Sequence, residues 1–169
     1  MRVGDADRRS RLAPFVSAVV RKAAGAHDDA FVRDLGRRTL ASSISSLRPA
    51  RIGAVAAAYD RLLETVAAQP HVSLVAECDG QRAGFALLLD DLPDDVTGLP
   101  QAFLAYMAVE PEFQRRGVGA ALLRAAEDEA KGRGLPYMAF MVTEENAAAR
   151  QLYERAGYAT ERRLLCKAL

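Results

Sequence analysis

The chain of 169 residues contains no tryptophan, two cysteines, two histidines and three lysines, so that arginine supplies 20 of its 23 basic side chains. Two cysteines far apart exclude a disulfide framework, and neither Cys78 nor Cys166 has a Cys or His at metal-ligand spacing, so no metal is expected. Both sit in apolar, strand-like runs and are expected to be reduced core residues. Acidic and basic residues nearly cancel, leaving a net charge of +1. A dedicated binder of nucleic acid or of anionic membranes needs a basic surface, so neither partner is expected. No apolar run approaches a membrane span; the longest, around residues 84–89, suits a buried strand. The opening MRVGDADRRSR has no apolar stretch of the kind a secretory signal carries, and the reading is of a cytoplasmic protein.

What is present is ordinary globular material: 50% apolar and 27% charged residues, enough for one domain with a real core. The periodicity changes near Pro70. Before it the pattern is helical: Phe15, Val19 and Ala23 recur every four residues behind Pro14, a second segment carries Phe31, Leu35 and Thr39, and a third carries Ile52, Val55, Tyr59, Leu62 and Val66. ASSISSLRPAR separates the last two, its serines and Pro49 marking a break.

After Pro70 the pattern is strand-like. Residues 71–78 and 82–89 flank Asp79-Gly80, a hairpin signal. DDLPDDVTGLPQ reads as a loop, 102–109 as a strand stopped by Pro111, and 117–131 as a helix closing at Lys131-Gly132-Arg133-Gly134. Then come a strand at 136–142, a helix at 146–156 ended by Gly157, and a last strand at 158–169. This order predicts an α/β domain with a mixed sheet.

The informative segment runs from Tyr106 to Ala120. A strand ends, and a basic, glycine-punctuated turn opens directly into a helix, whose first turn presents unpaired N–H groups and the positive end of the macrodipole. Gly117 and Gly119 let an anion approach the backbone, and Arg115 and Arg116 add charge. This describes a diphosphate cradle without the lysine of a P-loop or the third glycine of a dinucleotide fold. Asn146 follows 29 residues after Gly117, at a helix start, and Tyr153 lies seven further on, nearly on the same face.

On these two motifs, Gln114-Arg115-Arg116-Gly117-Val118-Gly119-Ala120 and Asn146 through Tyr153 to Gly157-Tyr158, the chain resembles the GNAT superfamily of acyl-CoA-dependent N-acetyltransferases over roughly residues 72–165. The resemblance implies a mixed, mostly antiparallel central sheet flanked by helices, with a helical N-terminal portion, in one domain spanning 1–169. Residues 1–70 would form the acceptor side and 71–169 the acetyl-CoA-binding core. It implies that Met107, Ala108 and Val109 offer strand backbone to the pantetheine arm, and that the backbone of the Gln114–Ala120 segment holds the pyrophosphate. Asn146 would contact the arm from its other side, and Tyr153 would act as general acid on the departing thiolate. The acceptor would be a primary amine, as a small molecule. The alternatives are a protein or peptide N-terminus, since the second motif also resembles protein-modifying members, and a non-catalytic acyl-CoA sensor.

Departures from the family pattern matter too. Phe103 and Met141 stand where family members place a glutamate base, which leaves Glu110, Glu112, Glu77, Glu144, Asp90, Asp91, His71 or an ordered water. Ser42, Ser43, Ser45 and Ser46 are candidates to line the acceptor mouth, with a solvated connector as the plainer reading. Asp90, Asp91, Asp94 and Asp95 are candidates to attract a cationic amine. Only 12 residues follow Gly157, so a final strand at 161–169 would leave an open edge, and a homodimer is the expectation drawn from it.

Overall fold

The computed structural model describes residues 17–169. Its elements are β1 (Val19–Lys22), α1 (Gly25–Thr39) running into a short 3-10 turn (Leu40–Ser43), α2 (Ile52–Ala67), β2 (His71–Cys78), β3 (Gln81–Leu89), β4 (Ala102–Val109), a second 3-10 turn (Pro111–Phe113), α3 (Val118–Gly132), β5 (Met138–Ala139) and α4 (Ala147–Arg155). The strands form one sheet in the order β1-β2-β3-β4-β5, antiparallel except for the parallel β4–β5 pair. The mixed, mostly antiparallel sheet flanked by helices is the architecture expected from the sequence.

β3 lies third of five and is buried over seven consecutive residues, because both faces of the sheet are covered. That is why its sequence reads as an unbroken apolar run. On one face α3 packs Val118, Leu122, Leu123, Ala126 and Ala130 against Leu74, Ala86, Leu88 and Leu104. On the other, α1 and α2 bring Val32, Leu35 and Tyr59 against Val75, Phe85, Leu87 and Ala108. The two helices can approach because residue 36 is glycine: a Cβ there would lie 1.9 Å from the Tyr59 ring, whose hydroxyl donates to Val32 O at 2.9 Å.

Asp28, 1% exposed, fastens the start of α1 to the sheet. It accepts hydrogen bonds from Arg21 on β1 (2.5 Å), Arg82 on β3 (2.6 Å) and the Ala24 N–H (2.8 Å). The Arg21 guanidinium above all, then the Ala24 N–H and Arg82, hold this carboxyl well below the usual carboxylate range, against the opposing effect of burial. A lowered folded-state value contributes stability above the ordinary carboxylate pKa and loses it as pH falls toward the folded value. Asp28→Asn, which takes the carboxylate from Arg82 and leaves Arg21 only Glu77, should lower stability at neutral pH by about 2 kcal/mol and flatten the loss on acidification. Urea unfolding followed between neutral and acid pH measures both effects; an unchanged acid limb would contradict the assignment.

Four expectations need correction. Val19–Lys22 is an edge strand paired antiparallel with residues 74–77 of β2, not part of a helix. The four-residue recurrence was coincidental over so short a segment, where β-branched Val19 and Val20 suit a strand; Pro14 and Phe15 lie outside the described residues. The strand expected at 136–142 pairs only at Met138 and Ala139. A bulge on β4, where Leu87 and Leu88 face Tyr106 and Leu104 and skip Ala105, bends β4 away beyond that point. The last strand expected at 158–169 is irregular chain, because a two-residue β5 leaves it no ladder to extend. The open-edge argument for a homodimer therefore loses its strand. Finally, Cys78 is buried as expected but Cys166 is exposed, beside Arg48 Nε at 3.2 Å.

Candidate active site

β4 and β5 are joined only at Ala102–Met138 and Phe103–Ala139. Over residues 104–109 β4 keeps its β3 partner but has no strand on its other side among the described residues, so a line of backbone polar groups faces a gap. The bulge puts Ala105 and Tyr106 consecutively on the α1–α2 face, while Leu104, Met107 and Val109 face α3. Met107, Ala108 and Val109 thus place side chains into the two cores and leave their backbone on the open edge.

Beyond β4 the chain turns sharply. Phe113 is buried as an anchor, and Gln114 folds back so that Nε2 donates to Val109 O at 3.2 Å. Arg115 (φ +62°) and Gly117 (φ +92°) both take the left-handed region, which is costly for the arginine and natural for the glycine. Arg116 crosses the Phe113 ring at 5.6 Å and donates to Glu112 O at 3.4 Å, but its buried Nε has no partner among the described residues. The Ala121 N–H makes the first intrahelical bond, to Gly117 O, and no side chain caps α3. The N–H groups of Val118, Gly119 and Ala120 therefore stand ahead of the ladder at the positive end of the helix. An uncapped helix start, a glycine in the left-handed region and an orphaned guanidinium N–H together fit a diphosphate. Val118 itself is buried in the core, and a Cβ at Gly119 would lie 3.2 Å from Leu152, so the first turn of α3 sits against α4.

Asn146 caps α4: its Oδ1 accepts the Ala149 N–H at 3.1 Å, which leaves its amide nitrogen as the group able to face a ligand. At the other end Gly157 (φ +92°) and the bonds Tyr158 N–H to Tyr153 O and Gly157 N–H to Glu154 O close the helix, with Tyr158 against Tyr153 (ring centroids 6.2 Å). Tyr153 also stacks on Phe140 at 4.1 Å. Its hydroxyl makes no hydrogen bond among the described residues. Burial, with a smaller contribution from Tyr106, raises its pKa, so it is a neutral phenol at physiological pH with a proton to give.

Most of the carboxylates considered as bases are already engaged. Glu110 receives Arg38 at 2.6 and 3.0 Å, Glu77 receives Arg21, Glu144 receives Arg150 at 2.8 Å, and Asp90, nearly buried, receives Arg133. His71, exposed, has Nδ1 2.8 Å from Gln69 O. Asp94 closes its own turn with Thr97 and receives Arg162 at 2.6 Å, so neither Asp90 nor Asp94 is a free lure for a cation. The serine segment is a strap rather than an open connector. Ser46 N–H and Oγ bond to Glu145 (Oγ to Oε1 2.6 Å), and Thr143 Oγ1 donates to Ser43 O at 2.5 Å, joining the α1–α2 link to the β5–α4 link. Sequence reasoning gave Tyr106 and Thr39 no role; they meet at 3.2 Å across α1 and β4, a pairing of residues 67 apart that no local pattern announces.

A family model described as acetyltransferase (GNAT) family matches residues 45–158, about two thirds of the chain. The [ribosomal protein bS18]-alanine N-acetyltransferase of Salmonella typhimurium is 38% identical over 88 residues, covering 52% of this chain and 55% of that protein. The mycothiol acetyltransferase of Beutenbergia cavernae is 35% identical over 89 residues, covering 53% of this chain and 29% of that protein. The chain thus spans little more than half of the first relative and under a third of the second. The structure of the aminoglycoside N-acetyltransferase AAC(6')-Iy in complex with CoA superposes with a TM-score of 0.63 at 23% identity, covering 89% of this chain and 98% of that one, a likeness of fold. Among the described residues no helix is long and apolar enough to cross a membrane.

Proposed function

The chain belongs to the acetyltransferase (GNAT) family, and from that premise we propose that it transfers an acetyl group from acetyl-CoA to a primary amine by direct attack in a ternary complex. The observation that carries this reading is the uncapped start of α3 beside the open edge of β4. Residues 71–169 form the acyl-donor core, and the described residues before them, 17–70, the acceptor side of one domain. The backbone of Arg115, Arg116, Gly117, Val118, Gly119 and Ala120, with Gln114 bracing the turn, holds the pyrophosphate. The open edge at Met107, Ala108 and Val109 receives the pantetheine arm as an added strand would, and the Asn146 amide nitrogen meets it from across the gap.

Acetyl-CoA supplies an activated acyl thioester. The amine nitrogen bonds to the acyl carbon and the carbon–sulfur bond breaks. The Tyr153 hydroxyl gives its proton to the sulfur, and the proton lost by the amine passes to water, from which Tyr153 is reprotonated, since Glu110 is committed to Arg38.

A small acceptor is the preferred reading, with the strap from Ser43 and Ser46 to Thr143 and Glu145 as the candidate border of its entrance. The name of the Salmonella relative favours a second reading, a peptide amino terminus. Competition among an aminoglycoside, a polyamine and an alanine-initiated peptide, with products identified by mass, separates them. Acetylation of the small amines is expected; acetylation of the peptide alone would make the second reading the right one.

A further inference from the structure

Tyr106 follows the bulged residue of β4, with its ring held between Tyr59 (centroids 5.3 Å) and Phe85 (5.9 Å). Its hydroxyl lies 3.2 Å from Thr39 Oγ1, and Thr39 Oγ1 lies 2.7 Å from the Leu35 carbonyl oxygen. A threonine hydroxyl has one proton, and a carbonyl oxygen can only accept. The short contact therefore takes the Thr39 proton, and at the longer one Tyr106 is the donor. With its proton committed, the Tyr106 oxygen can offer only lone pairs, of which Ser43, bordering the same hydroxyl, can occupy one. Tyr153 is in the opposite state, its proton free.

Position adds to polarity. If the pyrophosphate rests on residues 115–120 and the arm runs back along residues 109–107, the next residue toward the thioester is 106. We propose that Tyr106 receives the acceptor: its hydroxyl oxygen, oriented by Thr39, accepts a hydrogen bond from the primary amine and aligns the nitrogen on the acyl carbon. This rests on the acetyl-transfer reading and deepens it, assigning acceptor and leaving group to two tyrosines of opposed hydrogen-bonding state. Thr39 acts through Tyr106 as a positioning residue.

The test uses two CoA thioethers, one bearing an ethyl and the other a 2-aminoethyl group on sulfur, the latter setting a nitrogen close to where an attacking amine would stand. Calorimetry on the full chain should find the aminoethyl compound bound about tenfold more tightly than the ethyl compound, the worth of one good hydrogen bond. Tyr106→Phe should bring that ratio to about one. Thr39→Val should narrow the ratio in the native background and have no effect on it once Tyr106 is Phe. A ratio unchanged in Tyr106→Phe, or no preference in the native chain, overturns the inference and leaves the transfer reading standing. Weaker binding of both compounds by the same factor in Tyr106→Phe would make Tyr106 a packing residue and also overturn it. Binding of neither compound by the native chain overturns the transfer reading, and this inference with it.

Discussion

Tyr153→Phe is expected to lower kcat by about a hundredfold or more, the usual worth of a positioned general acid, and to leave acetyl-CoA affinity within a factor of about two. The phenylalanine keeps the stacking on Phe140 and the contact with Tyr158 that close α4, so the fold should survive. What it removes is a hydroxyl with no hydrogen-bond partner among the described residues, kept protonated by burial. A group of this kind has little to do in the resting protein and much to do when a thiolate develops beside it. Single-turnover rates with calorimetric affinities separate the two quantities. If both fall by the same factor, Tyr153 is a packing residue and the acid must be sought elsewhere.

Gly117→Glu should weaken acetyl-CoA binding by about a hundredfold or more, because it fills the anion site with the protein's own carboxylate. The helix start that favours a phosphate also favours a nearby glutamate, so the variant competes with its ligand. The left-handed backbone at φ +92° adds about 1–2 kcal/mol of strain for any side chain, a cost that shows in unfolding rather than in specificity. Gly117→Ala carries that strain without the carboxylate and isolates it: its stability should fall about as far, while most of its affinity is retained. Equal loss of affinity in both variants would mean that backbone conformation, not the anion site, governs binding.

The parts of this fold that were legible in advance are those dictated over a few residues. Asp79 and Gly80 both take positive φ, as a two-residue hairpin between twisted strands requires, and the hairpin forms where the dipeptide stands. Gly134 and Gly157 end α3 and α4 because each can enter the left-handed region and return N–H groups to the last turn. The glycine turn into α3 was legible for the same reason: a glycine and a helix start are local. The illegible parts depend on distant partners. Val19–Lys22 is a strand only because β2 lies beside it, more than fifty residues along. The bulge at Ala105 shortens β5 and opens the gap, yet nothing in AFLAYMAV marks where it falls. Cys166 looked like a core residue because its neighbours are leucines, but Leu164 and Leu165 are themselves more than four-fifths exposed. Tyr106 read as one more strand aromatic until Thr39, brought from α1, fixed the direction of its proton.

Acyl transfer from a thioester to an amine across the gap between β4 and β5 consumes both substrates and frees a thiol. Its most direct measurement is free thiol released from acetyl-CoA as primary amine is titrated in. Release is expected to rise with amine, to saturate, and to be nearly absent without it. Tight binding of acetyl-CoA with no amine-dependent release from aminoglycoside, polyamine or peptide would contradict it, and would leave a cradle that holds acyl-CoA without transferring its acyl group.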